Sequence, residues 1–430
     1  MNKWICCADE SKLRELLSKI KPLDEQAMKD AKERQDYRLK VPTSLGRLEE
    51  MSIRLAGITG KVYGNMVDNQ AIVLMCADNG VVEEGVASAP QTVTLMQTIN
   101  FTKRITGVGA QAKYFGIDIL DIDVGVKIPI PADILADDML VDGKIQSLVV
   151  DRRIADGSRN LAKEPALTKT EAIAAILTGI EASDAICEAG KNVYGVGEMG
   201  IGNSTTAACI ISSFTGMSAE EVVGRGGGLN DESLSKKCKI VAEAVSKYDM
   251  PDPIDRAAAF GGYDIFAMAG AFLGAAINRI PVVVDGYISI AAALLAAEID
   301  PRVKDFMFTS HFSQEPGYKA AVKKLGIRPM FDLEMKLGEA SGCPIAFKIM
   351  EASCAVMNKA RLHTSSTALA RVHYIMEDIH RRSAPQALPN AGYSPPTARY
   401  SPSSPKEHRS PRPRQTNEPI WVGGLTYMGA

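Results

Sequence analysis

Over the first 65 or so residues, apolar side chains recur at helical spacing. Leu13, Leu16, Leu17 and Ile20 form one set; after Pro42, Leu45, Leu48, Met51, Ile53, Leu55 and Ala56 continue the pattern. Steps of three and four place each set on one face, so this region predicts helices that bury a single stripe. From residue 71 the pattern changes to short apolar runs: 71–76, 117–124, 193–196, 281–284 and 306–308. Stretches long enough for a helix separate them. Strands alternating with helices predict βαβ units, and hence an α/β fold with a mostly parallel sheet covered on both faces.

Several of these strands lead into polar or glycine-rich turns: Ala77-Asp78-Asn79-Gly80, Glu198-Met199-Gly200, Asp285-Gly286-Tyr287 and Thr309-Ser310-His311. Ligands of open α/β sheets bind outside the carboxyl ends of the strands, so four such turns can converge on one crevice. Polar residues follow many strands that bind nothing. The glutamate and serine embedded among glycines favour the functional reading.

Three segments carry candidate chemistry. The first, Gly197-Glu198-Met199-Gly200-Ile201-Gly202-Asn203-Ser204-Thr205, lies between an apolar run and an Ala-rich helical pattern. Glycines let backbone N–H groups approach a phosphate, and a helix dipole favours negative charge there. No Gly-Lys-Ser/Thr follows and no clean dinucleotide fingerprint is present, so a tight connection that binds nothing remains open. The second, 223–231, contains Gly224, Gly226, Gly227 and Gly228, then Asn230 or Asp231 as a helix cap, with Lys236 and Lys237 beyond. A lysine beside glycines suits a phosphate as a point charge. Neighbouring helical residues point apart, so at most one of the two lysines serves. The third is Leu337-Gly338-Glu339-Ala340-Ser341-Gly342, followed by an apolar helix. A glutamate bracketed by Gly and Ala is desolvated, which raises its pKa and suits it to accept a proton. A glutamate stabilised in the first turn of a helix is the plainer reading, and these residues alone favour it.

Composition narrows the function classes. A chain of 430 residues, 46% of them hydrophobic, supports a large domain plus a smaller one. A net charge of −2 argues against a nucleic-acid-binding surface. The eight cysteines are scattered without a CxxC pair, which predicts reduced thiols in a cytoplasmic protein. The N-terminus has no signal-peptide apolar core, and no apolar run reaches the ~18–20 residues of a membrane span. From about residue 360 periodicity fades, with a short helix still compatible with 364–380. Prolines then accumulate among Ser and Arg, so 383 onward reads as a disordered tail. Four of the five histidines, 363, 373, 380 and 408, lie past residue 360 without compact ligand spacing, and no metal site is expected.

Taken together, the segments closely resemble the nicotinate-nucleotide:dimethylbenzimidazole phosphoribosyltransferases of cobalamin biosynthesis. The likeness is ordered along the chain. It includes Lys21-Pro22-Leu23-Asp24, Ser44-Leu45-Gly46-Arg47-Leu48-Glu49, Ala77-Asp78-Asn79-Gly80-Val81, Pro90-Gln91 and Gly197 to Thr205. Gly224-Arg225-Gly226, Phe260-Gly261-Gly262, Val284-Asp285-Gly286, Ser310-His311, Glu315-Pro316-Gly317 and Leu337-Gly338-Glu339 complete it. It covers residues 15–359, and the run Gly197–Thr205 is its most specific part. The tail after Lys359 does not resemble the family.

The resemblance implies a Rossmann-like parallel-sheet domain over 66–330 and a smaller helical domain from both chain ends, 1–65 and 331–359. It implies that nicotinate mononucleotide and 5,6-dimethylbenzimidazole give α-ribazole 5′-phosphate and nicotinate, with no cofactor and no metal. Glu339 takes the place of the family's catalytic base, and Glu198 lies beside the same crevice to assist or orient. Gly200, Ile201, Gly202, Asn203, Ser204, Gly226 and Gly227 would hold the phosphate. Lys237 falls where the family places its phosphate-binding lysine. Family members are homodimers whose sites take contributions from the partner. The acceptor pocket, placed at Asn79, Ala87, Ser88, Ala89 and Gln91, is where this chain departs. Many members have a histidine at Asn79 and Ser-Ala-Tyr at 87–89, so another benzimidazole, adenine or a phenol remains open as acceptor. A nucleotide-binding regulatory module would use the same cradle without needing Glu339. A dehydrogenase would need a dinucleotide fingerprint after the first strand, where Ala77-Asp78-Asn79-Gly80 stands instead.

Overall fold

Eight strands, all parallel to their neighbours, form the central sheet: β1 (Gln70–Ala77), β2 (Asp118–Gly125), β3 (Leu135–Ala136), β4 (Val149–Asp151), β5 (Val193–Met199), β6 (Val282–Val284), β7 (Met307–His311) and β8 (Pro329–Phe331). Their order is β8-β7-β6-β5-β1-β2-β4-β3. The structure, a computed structural model, describes residues 8–226 and 228–361, all within one compact unit. The proline-rich tail, the possible helix over 364–380, the four late histidines and Gly227 lie outside the described residues.

The sequence reading found β1, β2, β5, β6 and β7 and missed the short strands β3, β4 and β8. The turn assigned to Gly197-Glu198-Met199 is also strand. β5 runs buried to Met199, and its glycines serve close approach: a side chain at Gly197 would collide with Ala340.

Chain order fixes where a site can form. From β1 the chain builds outward through β2 to one edge, then returns to β5 beside β1 and builds through β6 and β7 to the other edge. The carboxyl ends of β1 and β5 therefore flank the point where chain direction reverses, the crevice in which such sheets bind ligands. The two faces are closed by helices. Lys169–Glu188, started by a Thr168–Glu171 capping box, packs on Tyr263–Asn278 so closely that side chains at Gly179 or Gly270 would strike the facing backbone.

The first helices, Glu10–Ser18, Glu25–Asp36 and Arg47–Thr59, follow the predicted stripe, with Leu13, Met51 and Leu55 buried. The last described helix, Cys343–Lys359, meets them. Ala31, Ala56 and Met357 form a small apolar cluster, and Arg38 donates to the carbonyls of Met357 and Ala360. Among the described residues no helix is long and apolar enough to cross a membrane, and cysteines 76, 187, 209, 238, 343 and 354 are free thiols.

Candidate active site

The crevice is built from strand ends. After β1, Asp78 turns back into the structure. Its carboxylate accepts from the Thr94 hydroxyl at 2.8 Å and from the Lys127 N–H at 2.8 Å. Thr94 Oγ1 in turn accepts the Ile201 N–H at 3.1 Å. One buried acid thus ties the ends of β1 and β2 to the glycine turn after β5.

That turn enters the helix Asn203–Thr215 through Gly202 in the left-handed region at φ +95°, and no side chain caps the helix. Within the turn the Asn203 and Thr205 N–H groups donate to the Gly200 and Gly202 carbonyls at 3.1 and 3.0 Å, and the helix dipole still favours an anion at this end. The second glycine segment comes against it: Gly226, φ +51°, lies over the Ser204 hydroxyl. Asn230 caps the following helix, Asp231–Lys247, by accepting from the Ser233 N–H. The two lysines separate as helical geometry demands. Lys236 is exposed and pairs with Glu84 at 3.2 Å. Lys237 is 1% exposed, and its Nζ donates to Ser204 Oγ at 3.0 Å and to the Gly224 carbonyl at 3.3 Å. Burial pulls the Lys237 ammonium down to about 8, against the attraction of Glu315.

The other wall carries acids. Glu198, on β5, accepts from Asn203 Nδ2, which also reaches Asp264 at 3.1 Å. Burial, then the neighbouring Asp264, pushes Glu198 up to about 8; burial alone leads the rise of Asp264 to about 7. The Asn203 amide thus joins two carboxyls on both of which burial disfavours charge.

Glu339 comes from a different part of the chain. The loop Gly338–Gly342 crosses β5, where Gly197 leaves room for it, and enters the helix Cys343–Lys359. Glu339 is 7% exposed. Its Oε1 accepts from Gln97 Nε2 at 3.1 Å, while its buried Oε2 has no hydrogen-bond partner among the described residues. Burial raises its pKa, against the Gln97 hydrogen bond. Glu339 is not in the first turn of the helix: it sits four residues before the helix begins, at φ +58°.

Sequence reasoning missed Gln97, Thr94 and Asp264 as members of this site, and had Asp78 only as part of the turn after β1. Gln97 reads as one more polar position in the helix Thr92–Thr102; its one signal is a polar face shared with Thr94 and Thr98. Of the residues placed in an acceptor pocket, Asn79 is fully buried beside Asp264 and Gly262, Ala87 and Ala89 are half-buried, and Ser88 is exposed. Gln91 donates to the Asn79 carbonyl at 3.2 Å and borders a polar cleft of about 340 Å³ lined by Gly80, Lys127 and Ser158. Among the described residues no group of three or more His, Cys, Asp or Glu is placed to hold a metal ion.

Comparison with known proteins gives a consistent picture. A phosphoribosyltransferase family model matches residues 20–367. The nicotinate-nucleotide–dimethylbenzimidazole phosphoribosyltransferase of Clostridium perfringens is 49% identical over 348 residues, 80% of this chain and 92% of that protein. The enzyme of the same name from Acetivibrio thermocellus is 45% identical over 346 residues, 80% of this chain and 94% of that one. The crystal structure of CobT from Thermus thermophilus superposes with a TM-score of 0.71 at 34% identity, covering 77% of this chain and 96% of that chain.

Proposed function

Since the chain belongs to the nicotinate-nucleotide–dimethylbenzimidazole phosphoribosyltransferase family of pentosyltransferases, we propose that it moves the phosphoribosyl group of nicotinate mononucleotide onto 5,6-dimethylbenzimidazole or a related lower-ligand base, with Glu339 as general base. The products are α-ribazole 5′-phosphate and nicotinate, a step in assembling the nucleotide loop of cobalamin.

One observation carries the assignment of the base. Glu339 holds a buried carboxylate oxygen without a partner, on a group whose pKa burial raises, at the mouth of a crevice whose other side is an anion cradle. An unsatisfied buried acceptor is costly unless a ligand completes it. The N–H of an azole does so. As that proton passes to Glu339, the other ring nitrogen attacks C1′ of the ribose. Nicotinate departs from the opposite face, which inverts the β configuration to α. The pyridinium form of the donor is already a good leaving group, so the protein's contribution is placement and one proton transfer.

The 5′-phosphate belongs with Gly200, Ile201, Gly202, Asn203 and Ser204, the 224–228 turn and Lys237. Glu198, tied with Asp264 to the Asn203 amide, orients the turn beside the reacting carbon. The departures at Asn79 and 87–89 put the acceptor's identity with this chain's own smaller side chains. Leu333, Leu337, Ile105 and Met96, more than half exposed near the Glu339 loop, support a homodimer in which a second copy covers that side. The helices at both ends of the described chain make up the smaller domain.

The test is nicotinate release. With nicotinate mononucleotide alone the protein should be silent, and adding 5,6-dimethylbenzimidazole should release one nicotinate per α-ribazole phosphate formed. Release without an acceptor would make the protein a hydrolase instead.

A further inference from the structure

We infer that Asp285 is a positioning residue that aims the Glu339 carboxylate by gripping the backbone of the loop that carries it; this rests on Glu339 being the base. The loop needs a grip. Gly338, Glu339 and Ala340 are successively left-handed, at φ +85°, +58° and +58°. Only the first of these suits its residue, and side-chain-bearing residues stay in that region where the surroundings over-determine them.

Asp285 supplies that constraint from the end of β6. It is 1% exposed, and its Oδ1 accepts the Gly342 N–H at 2.7 Å. Burial pushes the Asp285 carboxyl up to about 7, against the pull of the nearby Gly342, Gly286 and Ala340 N–H dipoles. The grip is itself braced. The Asp285 N–H donates to Ser289 Oγ at 3.1 Å, and its carbonyl accepts from Ser310 Oγ at 3.3 Å. Ser310 and His311, at the end of β7, close the remaining side: a side chain at Gly342 would collide with His311 Nδ1, Ser310 Oγ and Asp285 Oδ1. The strand ends of β6 and β7 therefore enclose Gly342, the last residue of the loop, three residues from Glu339. The plainer alternative is that Asp285 only caps the helix Cys343–Lys359. A cap would contribute to stability and leave the chemistry alone.

The two readings separate in a kinetic cycle on the full chain: Asp285→Asn, Asp285→Ala, Glu339→Gln and the two double variants, with melting curves for each. Asp285→Asn is isosteric and keeps an acceptor for Gly342 but turns an NH2 toward the remaining donors, so it tests the idea even if Asp285→Ala does not fold. Misplacing a reacting group by about 1 Å costs about 100-fold, so kcat should fall roughly tenfold for Asn and about 100-fold for Ala, with the donor KM within about twofold. In the Glu339→Gln background neither change should lower kcat further, because both act through the same group. Unchanged kcat in a folded Asp285 variant, a loss seen in donor KM instead, or an additive loss on top of an impaired Glu339→Gln would overturn the positioning role alone. Near-normal turnover by Glu339→Gln itself would remove the base reading, and this inference with it.

Discussion

Two glycine-bearing turns, 200–204 and 338–342, each lead into a long helix at the same crevice, and they prepare opposite chemistry. At the first, no side chain caps the helix Asn203–Thr215, and a buried ammonium, Lys237, stands against Ser204. At the second, where no side chain caps the helix either, Asp285 takes the N–H of the N-cap residue Gly342, and the loop holds a carboxylate whose buried Oε2 has no hydrogen-bond partner among the described residues. A helix N-terminus is available to an external anion only where no protein acid has taken it. In the function proposed here the first turn receives charge, and the second, held by a protein acid, presents it.

The sharpest way to break this contrast is to neutralise the second turn. Glu339→Gln preserves shape and the Gln97 neighbourhood but cannot accept a proton. Turnover should drop by about two to four orders of magnitude, the usual span for a general base, with nucleotide binding retained. Single-turnover nicotinate release measures it, and near-normal turnover by the folded variant would erase the difference between the turns.

Emptying the first turn should act on binding instead. Lys237→Ala removes the ammonium from the cradle, and the donor KM should rise roughly 10- to 100-fold, the range expected for a lost charged hydrogen bond. The acceptor KM should barely move. Nicotinate riboside, which lacks the phosphate, should bind wild type about as weakly as the mononucleotide binds the variant. Equal affinity of riboside and mononucleotide for wild type would show that the turn holds something else.

The pH dependence sharpens the same contrast. Burial holds Lys237 at about 8, below its ordinary 10.5. Its charge is fully present below about 8 and is lost as pH rises through that value, although a bound phosphate draws the proton back. The ligand's phosphate reaches its second charge above about 6. Donor KM should therefore be lowest between about 6 and 8 and climb at higher pH, and Lys237→Ala should flatten that climb. Stability runs the other way. Between about 8 and 10.5 the unfolded chain binds this proton more tightly, so the Lys237 contribution to stability rises with pH across that window. A donor KM that is flat from pH 7 to 9.5 in wild type would dismiss the lysine's role.

The two turns were not equally legible in the sequence. Gly200–Ser204 carries a local signal, an apolar run, glycines and a helical pattern, although these residues alone left a connection that binds nothing equally open. Glu339 carries none. Its residues alone favour a first-turn glutamate, and only the likeness to a family placed it at the chemistry. Its burial comes from contacts far along the chain: Gly197 on β5, Gln97 on the helix Thr92–Thr102, and Asp285 on β6. The same limit explains the missed strands. β3, β4 and β8 lie toward the edges of the sheet, where the strands they pair with define them. Helical geometry required that only one of Lys236 and Lys237 serve, a rule that needs no tertiary contact, but the likeness to the family chose Lys237.

The smallest predicted effect compares single methyl groups in the two turns. Gly226 and Gly338 are both left-handed, at φ +51° and +85°. Alanine at either should cost about 1 kcal/mol of stability from backbone strain, measurable by denaturant unfolding. What the new methyl meets differs. At 226 it approaches the Ser204 hydroxyl at 3.3 Å, within the phosphate cradle; at 338 it approaches Glu198 Oε1 at 2.9 Å, between the two acids. Gly226→Ala should therefore raise donor KM a few-fold, by about 1 kcal/mol or less, and spare kcat. Gly338→Ala pushes on the base's own loop and should lower kcat with donor KM unchanged. If both substitutions shifted the same kinetic constant, the division of labour between a receiving turn and a presenting turn would be wrong, whatever the stability data showed.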